Sequence, residues 1–285
     1  MKITITGGKG GTGKSMVATN LAVEFARQNR TMLVDADAEC PNDHLLLSIK
    51  RKKHTVVYQP VPKWDFSKCS KCGKCASVCK QNAIIFVKGK YPAFVKDVCI
   101  GCKACIVSCA LGAICEDKRA VGNIYLSESD KYDLTLVTGE LNIGDLASGE
   151  IVADVRAESV KISKDKEIQH VVTDAAAGIG CPVIASIVNN DFVIAVTEPT
   201  PSAFSDLKRI VSLAVHFDIP IGIVINKYDL DEPFAKKIEE YAKDNKIKIM
   251  GKMRYDKDFV KSSAQAKVSD KKEHQAIIKT ILSNI

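Results

Sequence analysis

The sequence predicts an α/β fold: a doubly wound, mostly parallel sheet that carries a small inserted α+β unit. Three observations predict it. Residues 1–59 read as strand, glycine loop, helix, strand, the order of a parallel β-α-β unit. From Pro60 to Asp117 the composition turns abruptly to cysteine and lysine with short turns. After residue 118 apolar strand-like segments return, several of them separated by helical ones. The predicted division is therefore one discontinuous domain, 1–59 with 118–285, and one insert, 60–117. A chain of 285 residues, 46% apolar and 26% charged, can bury a sizeable core and is not disordered in bulk.

The elements follow in order. Ile3 and Ile5 open the first strand, and GGKGGTGKS follows it. Val17, Leu21 and Phe25 then recur at helical spacing, and TMLVDAD is a second buried strand ending in acids. In the insert, Cys69, Cys72, Cys75 and Cys79 recur 30 positions later as Cys99, Cys102, Cys105 and Cys109. Ala83-Ile84 recurs as Ala113-Ile114, and residues 84–95 fit a hairpin between the halves. Beyond the insert, YDLTLVTG, HVVTDAAAG, DFVIAVTEPT, IPIGIVINK and KIKIMGK are strand candidates. Ser202–His216, Glu232–Lys243 and Lys271–Asn284 are helical, the last with Ile277, Ile278 and Ile281 as core.

Gly8-Lys9-Gly10-Gly11-Thr12-Gly13-Lys14-Ser15 fits the phosphate-loop pattern GxxxxGK[ST], between a strand and a helix as that motif requires. Small residues let backbone N–H groups close around phosphates, and the helix N-terminus adds positive potential. Lys14 is expected on the β- and γ-phosphates and the Ser15 hydroxyl on Mg²⁺.

The form KGGTGKS, with its early Lys9, resembles the deviant Walker A motif of the MinD/ParA/Mrp ATPases and the nitrogenase iron protein. The resemblance extends over nearly all of the chain outside the insert. It implies ATP as the nucleotide and ATP-dependent dimerisation, with Lys9 reaching the nucleotide of the partner subunit. It implies that Asp37, in VDAD, orients the attacking water, and that Asp174, at the end of HVVTD, holds Mg²⁺ through water. Gly178 would let the following segment swing with the γ-phosphate. Ala176 stands where the family often has proline. Asn226 matches the family's adenine-reading asparagine, with Lys227 beside it. Asn226-Lys227-Tyr228-Asp229 also spells NKYD, a guanine-type signature, but the deviant loop favours ATP. Met16 and Thr200, the latter in the loop TEPT, are further nucleotide contacts that the resemblance implies.

Each cysteine run reads CxxCxxCxxxC. Thiolates hold iron–sulfur clusters, and the tight CxxCxxC turn, with two residues between successive cysteines, can place three sulfurs around one cluster. The competing reading, two zinc ions, ordinarily uses two separated pairs. The module closely resembles the bacterial two-cluster ferredoxin. That resemblance implies two [4Fe–4S] clusters, each taking its fourth ligand from the other run. One set is Cys69, Cys72, Cys75 and Cys109; the other is Cys99, Cys102, Cys105 and Cys79. Lys80 and Ala110 stand where proline normally follows the fourth cysteine.

Three of the 11 cysteines remain, Cys40, Cys115 and Cys181. Cys181 has the offset from Asp174 of a dimer-bridging cysteine in the nitrogenase iron protein, but its second partner is missing, and a small packed thiol is the expectation. Cysteines in local CxxC spacing, not a framework of even pairs, point to a reducing compartment, and MKITITGG is not a secretory leader; a cytoplasmic location is expected.

The formal charge of +7 is mild. Two clusters ligated by thiolates would bring it to about +3. Binding to nucleic acid is not expected. The C-terminal helix lacks the basic amphipathic character of a membrane anchor. The expected function is an ATP-hydrolysing iron–sulfur protein that couples hydrolysis to electron transfer or metallocluster assembly. Its expected partners are a second copy or a paralogous ATPase, and a redox or metallocluster-bearing protein. The alternative is a positioning or scaffold ATPase of the ParA/MinD kind with structural or redox-sensing clusters. Amidation of a corrin-like acid, known in the same superfamily, needs a glutaminase that this sequence does not encode.

Overall fold

A computed structural model describes residues 1–146, 148–258 and 272–285. The chain opens with β1 (Lys2–Gly7), α1 (Lys14–Ala26) and β2 (Thr31–Ala36), followed by the short α2 (Asp43–Leu46) and the long β3 (Lys53–Trp64). The cysteine-rich stretch holds α3 (Lys74–Ser77), β4 (Ile84–Ile85), β5 (Ala93–Phe94) and α4 (Ala104–Val107). The chain returns through β6 (Ile114–Glu128), β7 (Leu134–Leu141), α5 (Ser148–Asp165), β8 (His170–Ala177) and α6 (Cys181–Ile187). It ends with β9 (Phe192–Thr197), α7 (Pro201–His216), β10 (Ile221–Asn226), α8 (Glu232–Asp244), β11 (Lys248–Met253) and α9 (Lys272–Ser283). The helix expected at the C-terminus forms; Lys271, at its predicted start, lies outside the described residues.

Nine strands form one sheet in the order β11-β10-β9-β1-β8-β2-β7-β6-β3. From β11 to β7 every pairing is parallel, and the last two are antiparallel. The central strands are apolar on both faces, as strands covered twice must be. Leu33 packs with Val17 and Leu21 of α1 on one face, while Met32 and Val34 pack with Ile151 and Val155 of α5 on the other. Ile278 and Ile281 of α9 join the α1 side, as the helical spacing predicted. Ala195, Ile223 and Ile225 meet α7 and α8 on the opposite side through Leu207, Ile210 and Ile238. His170 is a packing residue, stacked on Phe25 with ring centroids 4.3 Å apart.

β3 and β6 were not apparent in the sequence. They pair from Lys53 opposite Tyr125 to Trp64 opposite Ile114, whereas β7 covers β6 only from Gly122 onward. Beyond that point the two strands continue as a ribbon that carries residues 65–113. The composition changes at Pro60 and Asp117 fall inside this ribbon, where Pro60 faces Lys118 and Val61 faces Asp117. A two-stranded ribbon needs no continuous apolar face, so the charged run Glu116-Asp117-Lys118-Arg119 masked a strand. β3 is an edge strand, which is why its two prolines are tolerated. The expected hairpin exists, with β4 antiparallel to β5. Among the described residues no helix is long and apolar enough to cross a membrane.

Candidate functional site

Parallel α/β sheets bind ligands beyond the carboxyl ends of their strands. Here β1 ends in the glycine loop, β2 leads to Asp37, and β8 carries Asp174. Asp35 of β2 pairs directly with Asp174 of β8. The sheet therefore brings together Lys14, Ser15, Asp37 and Asp174, which are far apart in sequence.

The loop is shaped to take an anion. Gly10 and Gly11 have open space where a Cβ would stand. Gly13, at φ 96°, is the residue before α1, and a Cβ there would come within 2.4 Å of the Asn226 amide nitrogen. Only glycine satisfies both the left-handed backbone and that approach. Lys14 is almost wholly buried, with its ammonium donating to the Lys9 carbonyl at 3.4 Å. Thr12 also donates to that carbonyl.

Behind the loop lies a pool of buried acid. Asp35, Asp43 and Asp174 are each no more than 1% exposed. Burial pushes the Asp174 carboxyl up to about 7, against the pull of the Ser15 hydroxyl and the Lys14 ammonium. Burial, with mutual repulsion, raises Asp35 and Asp43 well above the carboxylate range. Asp37 is also raised by burial, with Lys14 working against it. Asp35 is occupied by structure, accepting from the Asp37 and Asp43 amides at 3.3 and 3.1 Å. Asp174 Oδ1 is buried with no hydrogen-bond partner, beside the Ser15 hydroxyl. An unpartnered carboxylate oxygen next to a hydroxyl and an anion cradle suits a hydrated divalent cation. Asp43 was missed from sequence; nothing in DHLLL marks it as buried.

The flanking residues are bonded to one another and to the loop. Asn226 donates to the Thr12 carbonyl at 2.9 Å and accepts from the Lys227 amide. It braces the loop. Lys227 donates to the Gly11 carbonyl at 2.8 Å and pairs with Glu198 at 3.0 Å. Glu198 also holds Lys9, at 2.7 Å. Burial opposes ionisation of Glu198, but its two lysines keep its carboxyl below the ordinary range. Glu198 is thus the central acid of this flank, and sequence reading passed over it within TEPT. Thr200 caps α7, accepting from the Ala203 amide at 3.3 Å. Met16 lies under the loop, its methyl 3.6 Å from the Cβ position of Gly13. Gly8 lies against Asp206, which a Cβ would overlap. Cys181, expected as a small packed thiol, is instead exposed at the start of α6, and Cys40 is exposed past Asp37.

The cysteine-rich stretch presents two cavities. Cys79, Cys99, Cys102 and Cys105 line one, a narrow cavity of about 20 Å³, together with Pro60 and Pro62 of β3. Cys69, Cys72, Cys75 and Cys109 line the other, of about 260 Å³, together with Trp64 and Pro92. Each cavity therefore receives three thiols from one run and one from the other. The two halves repeat in detail. Left-handed residues recur 30 apart, at Lys71 and Gly101, Gly73 and Lys103, and Asn82 and Gly112. The Ala83 amide donates to Cys79 Sγ and the Ala113 amide to Cys109 Sγ, both at 3.3 Å. Ile84, Ile114 and Cys105 pack between the cavities.

Burial pushes the Cys105 thiol up to about 11, and Cys75 and Cys99 upward as well. Such thiols give up their protons to a cationic guest. The buried Trp64 indole N–H lies near Cys75 without reaching hydrogen-bond geometry, a spare donor beside sulfur. Among the described residues no three His, Cys, Asp or Glu side chains converge closely enough for a single metal ion. In each cavity four thiols line one shared space.

Comparison with known proteins covers both parts. The model of the CobQ/CobB/MinD/ParA nucleotide binding domain matches residues 3–269. An uncharacterized protein of Methanocaldococcus jannaschii is 35% identical over 254 residues, 84% of this chain and 88% of that one. An uncharacterized ferredoxin of the same organism is 40% identical over 53 residues, 18% of this chain and 69% of that one. Among solved structures, the septum site-determining protein MinD from Pyrococcus horikoshii, complexed with Mg-ADP, superposes with a TM-score of 0.60. The match is 16% identical and covers 99% of this chain and 95% of that one.

Proposed function

The chain belongs to the CobQ/CobB/MinD/ParA nucleotide-binding family and is a P-loop ATPase, and from that premise we propose that it couples ATP hydrolysis to electron transfer or metallocluster assembly. The observation that carries this reading is the pair of four-thiol cavities, each built from both cysteine runs, on a ribbon continuous with the nucleotide-binding sheet. The similarity to a ferredoxin over 53 residues supports it. Residues 60–117 are on this reading an inserted ferredoxin-like domain. Cys69, Cys72, Cys75 and Cys109 hold one [4Fe–4S] cluster, and Cys99, Cys102, Cys105 and Cys79 hold the other. Such clusters take up and release single electrons.

At the nucleotide end, the amides from Gly8 to Ser15 wrap the phosphates of ATP and Lys14 neutralises the β- and γ-oxygens. Ser15 and Asp174 hold Mg²⁺, with the unpartnered Oδ1 turned to its hydration shell. Asp37 orients the attacking water. Asn226 reads the adenine edge, for which it must exchange its bond to Thr12; Lys227, Thr200 and Met16 flank the nucleoside. Lys9 leaves Glu198 to reach the nucleotide of a second subunit, either another copy or a paralogous ATPase. The cluster-bearing face serves a redox or metallocluster-bearing protein.

An anaerobic redox titration followed by EPR, with and without MgATP, tests the coupling. A cluster potential that moves with nucleotide is expected. Clusters that resist reduction, or potentials indifferent to ATP, would sink the reading and leave a positioning ATPase with structural clusters.

A further inference from the structure

The two cavities are not equivalent with respect to the nucleotide end. The cavity of Cys69, Cys72, Cys75 and Cys109 takes its walls from the cysteine-rich stretch and the end of the ribbon. The cavity of Cys79, Cys99, Cys102 and Cys105 is walled in part by Pro60, Val61 and Pro62 of β3. It is also tied by hydrogen bonds to the strand pair beneath it. Gln59, wholly buried, donates to the Cys99 carbonyl at 2.8 Å, and Gly101 packs so closely on Gln59 that a Cβ would come within 2.8 Å. Directly across the ribbon from Gln59 stands Arg119, whose guanidinium donates to the Gln59 side chain at 3.4 Å.

Arg119 also reaches the other way. Its main partner is Asp145, at 2.5 Å, with the two side chains 16% and 9% exposed. Asp145 lies on the loop between β7 and α5. The end of β7, from which that loop leaves, is fastened to the segment carrying Asp37: the Leu141 amide donates to the Ala38 carbonyl at 2.8 Å. α5, which follows the loop, leans on α6. Gly149 lies against Cys181, and Arg156 donates to the carbonyls of Ala185 and Val188. The segments that follow the catalytic carboxylates therefore touch the strand end that leads into the loop and the helix that leaves it.

Arg119 has a second carboxylate within reach. Asp97, just before Cys99, stands 3.8 Å from the same guanidinium nitrogen that bonds Asp145. The Arg119 Nε–H is buried without a partner. The guanidinium thus has one donor unspent and stands between a buried acid on the nucleotide side, which it bonds, and an exposed acid on the cavity side at longer range. Coupling between distant sites needs a two-state element, biased from both ends.

We propose that Arg119 is the positioning residue that couples the nucleotide end to the cavity of Cys79, Cys99, Cys102 and Cys105, exchanging Asp145 for Asp97 as the Asp37 and α6 segments move. It rests on the cluster reading given above. Its specific content is that only this cavity responds to nucleotide, and that Arg119 carries the response.

The test uses the full chain with both clusters reconstituted, as wild type, Arg119→Gln, Arg119→Lys and Asp145→Asn. Iron content and nucleotide affinity are measured first. Redox titration by EPR and hydrogen exchange by mass spectrometry then follow, with and without a non-hydrolysable ATP analogue. In the wild type, one of two midpoint potentials should shift, and exchange should change over residues 97–106 but not over 69–76. Arg119→Gln and Asp145→Asn should retain iron and nucleotide binding and lose both responses. Arg119→Lys, which keeps the charge, should retain part of the shift. In Arg119→Gln the midpoint of one cluster alone should fall even without nucleotide, because a neighbouring cation favours the reduced, more negative state. That fall reports the nearness of the charge; loss of the nucleotide-dependent shift is the readout that a merely structural arginine would not move. A shift that persists in Arg119→Gln, or equal shifts of both potentials, overturns this inference and leaves the coupled function standing. Absence of clusters, or no shift in the wild type, overturns the coupled function and this inference with it.

Discussion

Asp174 is buried, ionisable and held with its carboxyl near 7. A carboxyl raised above its unfolded value binds a proton more tightly in the folded chain. Its contribution therefore turns unfavourable as pH rises from about 4 toward 7 and stays so above. Asp174→Asn should stabilise the protein without Mg-nucleotide by roughly 2–4 kcal/mol at pH 8 and by much less at pH 5. Thermal melts at the two pH values check the sign; a variant less stable than wild type at pH 8 would count against it. The same substitution should abolish Mg²⁺-dependent hydrolysis. Glu198 supports a second prediction. The Lys9–Glu198 pair is half-exposed on the lysine side, so breaking it costs about 1 kcal/mol at most. Glu198→Gln should release Lys9 and lower the dimer dissociation constant about fivefold with a non-hydrolysable ATP analogue. Sedimentation measures it; an unchanged or weaker dimer would show that Glu198 does not restrain Lys9.

At the level of elements, the cysteine runs show how far local spacing reaches. CxxCxxC sets three thiols around one turn, and that much was legible because the spacing is itself the geometry. The crossing of the fourth thiol depends on two short helices and a hairpin folding back on each other. It was expected only by resemblance, and the cavity linings have the same crossed pattern. It predicts that Cys79→Ser will disturb the cluster of the other run. One cluster's worth of iron should be lost or altered, and the Cys69, Cys72, Cys75 and Cys109 signal should survive. Loss confined to the signal of its own run would refute the crossed assignment; EPR of the reconstituted variant separates the two. The ribbon of β3 and β6 was illegible for the opposite reason. Val57, Gln59 and Val61 do alternate inward, but a glutamine on that face, two prolines in β3 and the charged run Glu116 to Arg119 in β6 hid the strand pattern. A fourth prediction belongs to the segment after β2. Asp37→Ala should slow hydrolysis by at least tenfold and trap an ATP-bound dimer, read by phosphate release and by sedimentation. Normal turnover would remove Asp37 from the reaction.

Over the whole molecule, the sequence by itself determined what short-range geometry determines. The glycine loop, the β-α-β order, the 30-residue cysteine repeat and the C-terminal helix were all readable. Backbone turns, helical faces and ligand spacing act across a few residues, so the pattern of residue types is the physical constraint. The tertiary structure alone decided which groups those elements present to one another. Asn226 braces Thr12 across 214 positions, Glu198 stands between Lys9 and Lys227, and Asp43 is buried beside Asp35. Arg119 meets Asp145 26 positions on. These contacts follow from strand order and register, which are settled by the packing of the entire sheet. A lysine or an acid in a charged run has the same appearance in sequence whether it ends in water or against its partner.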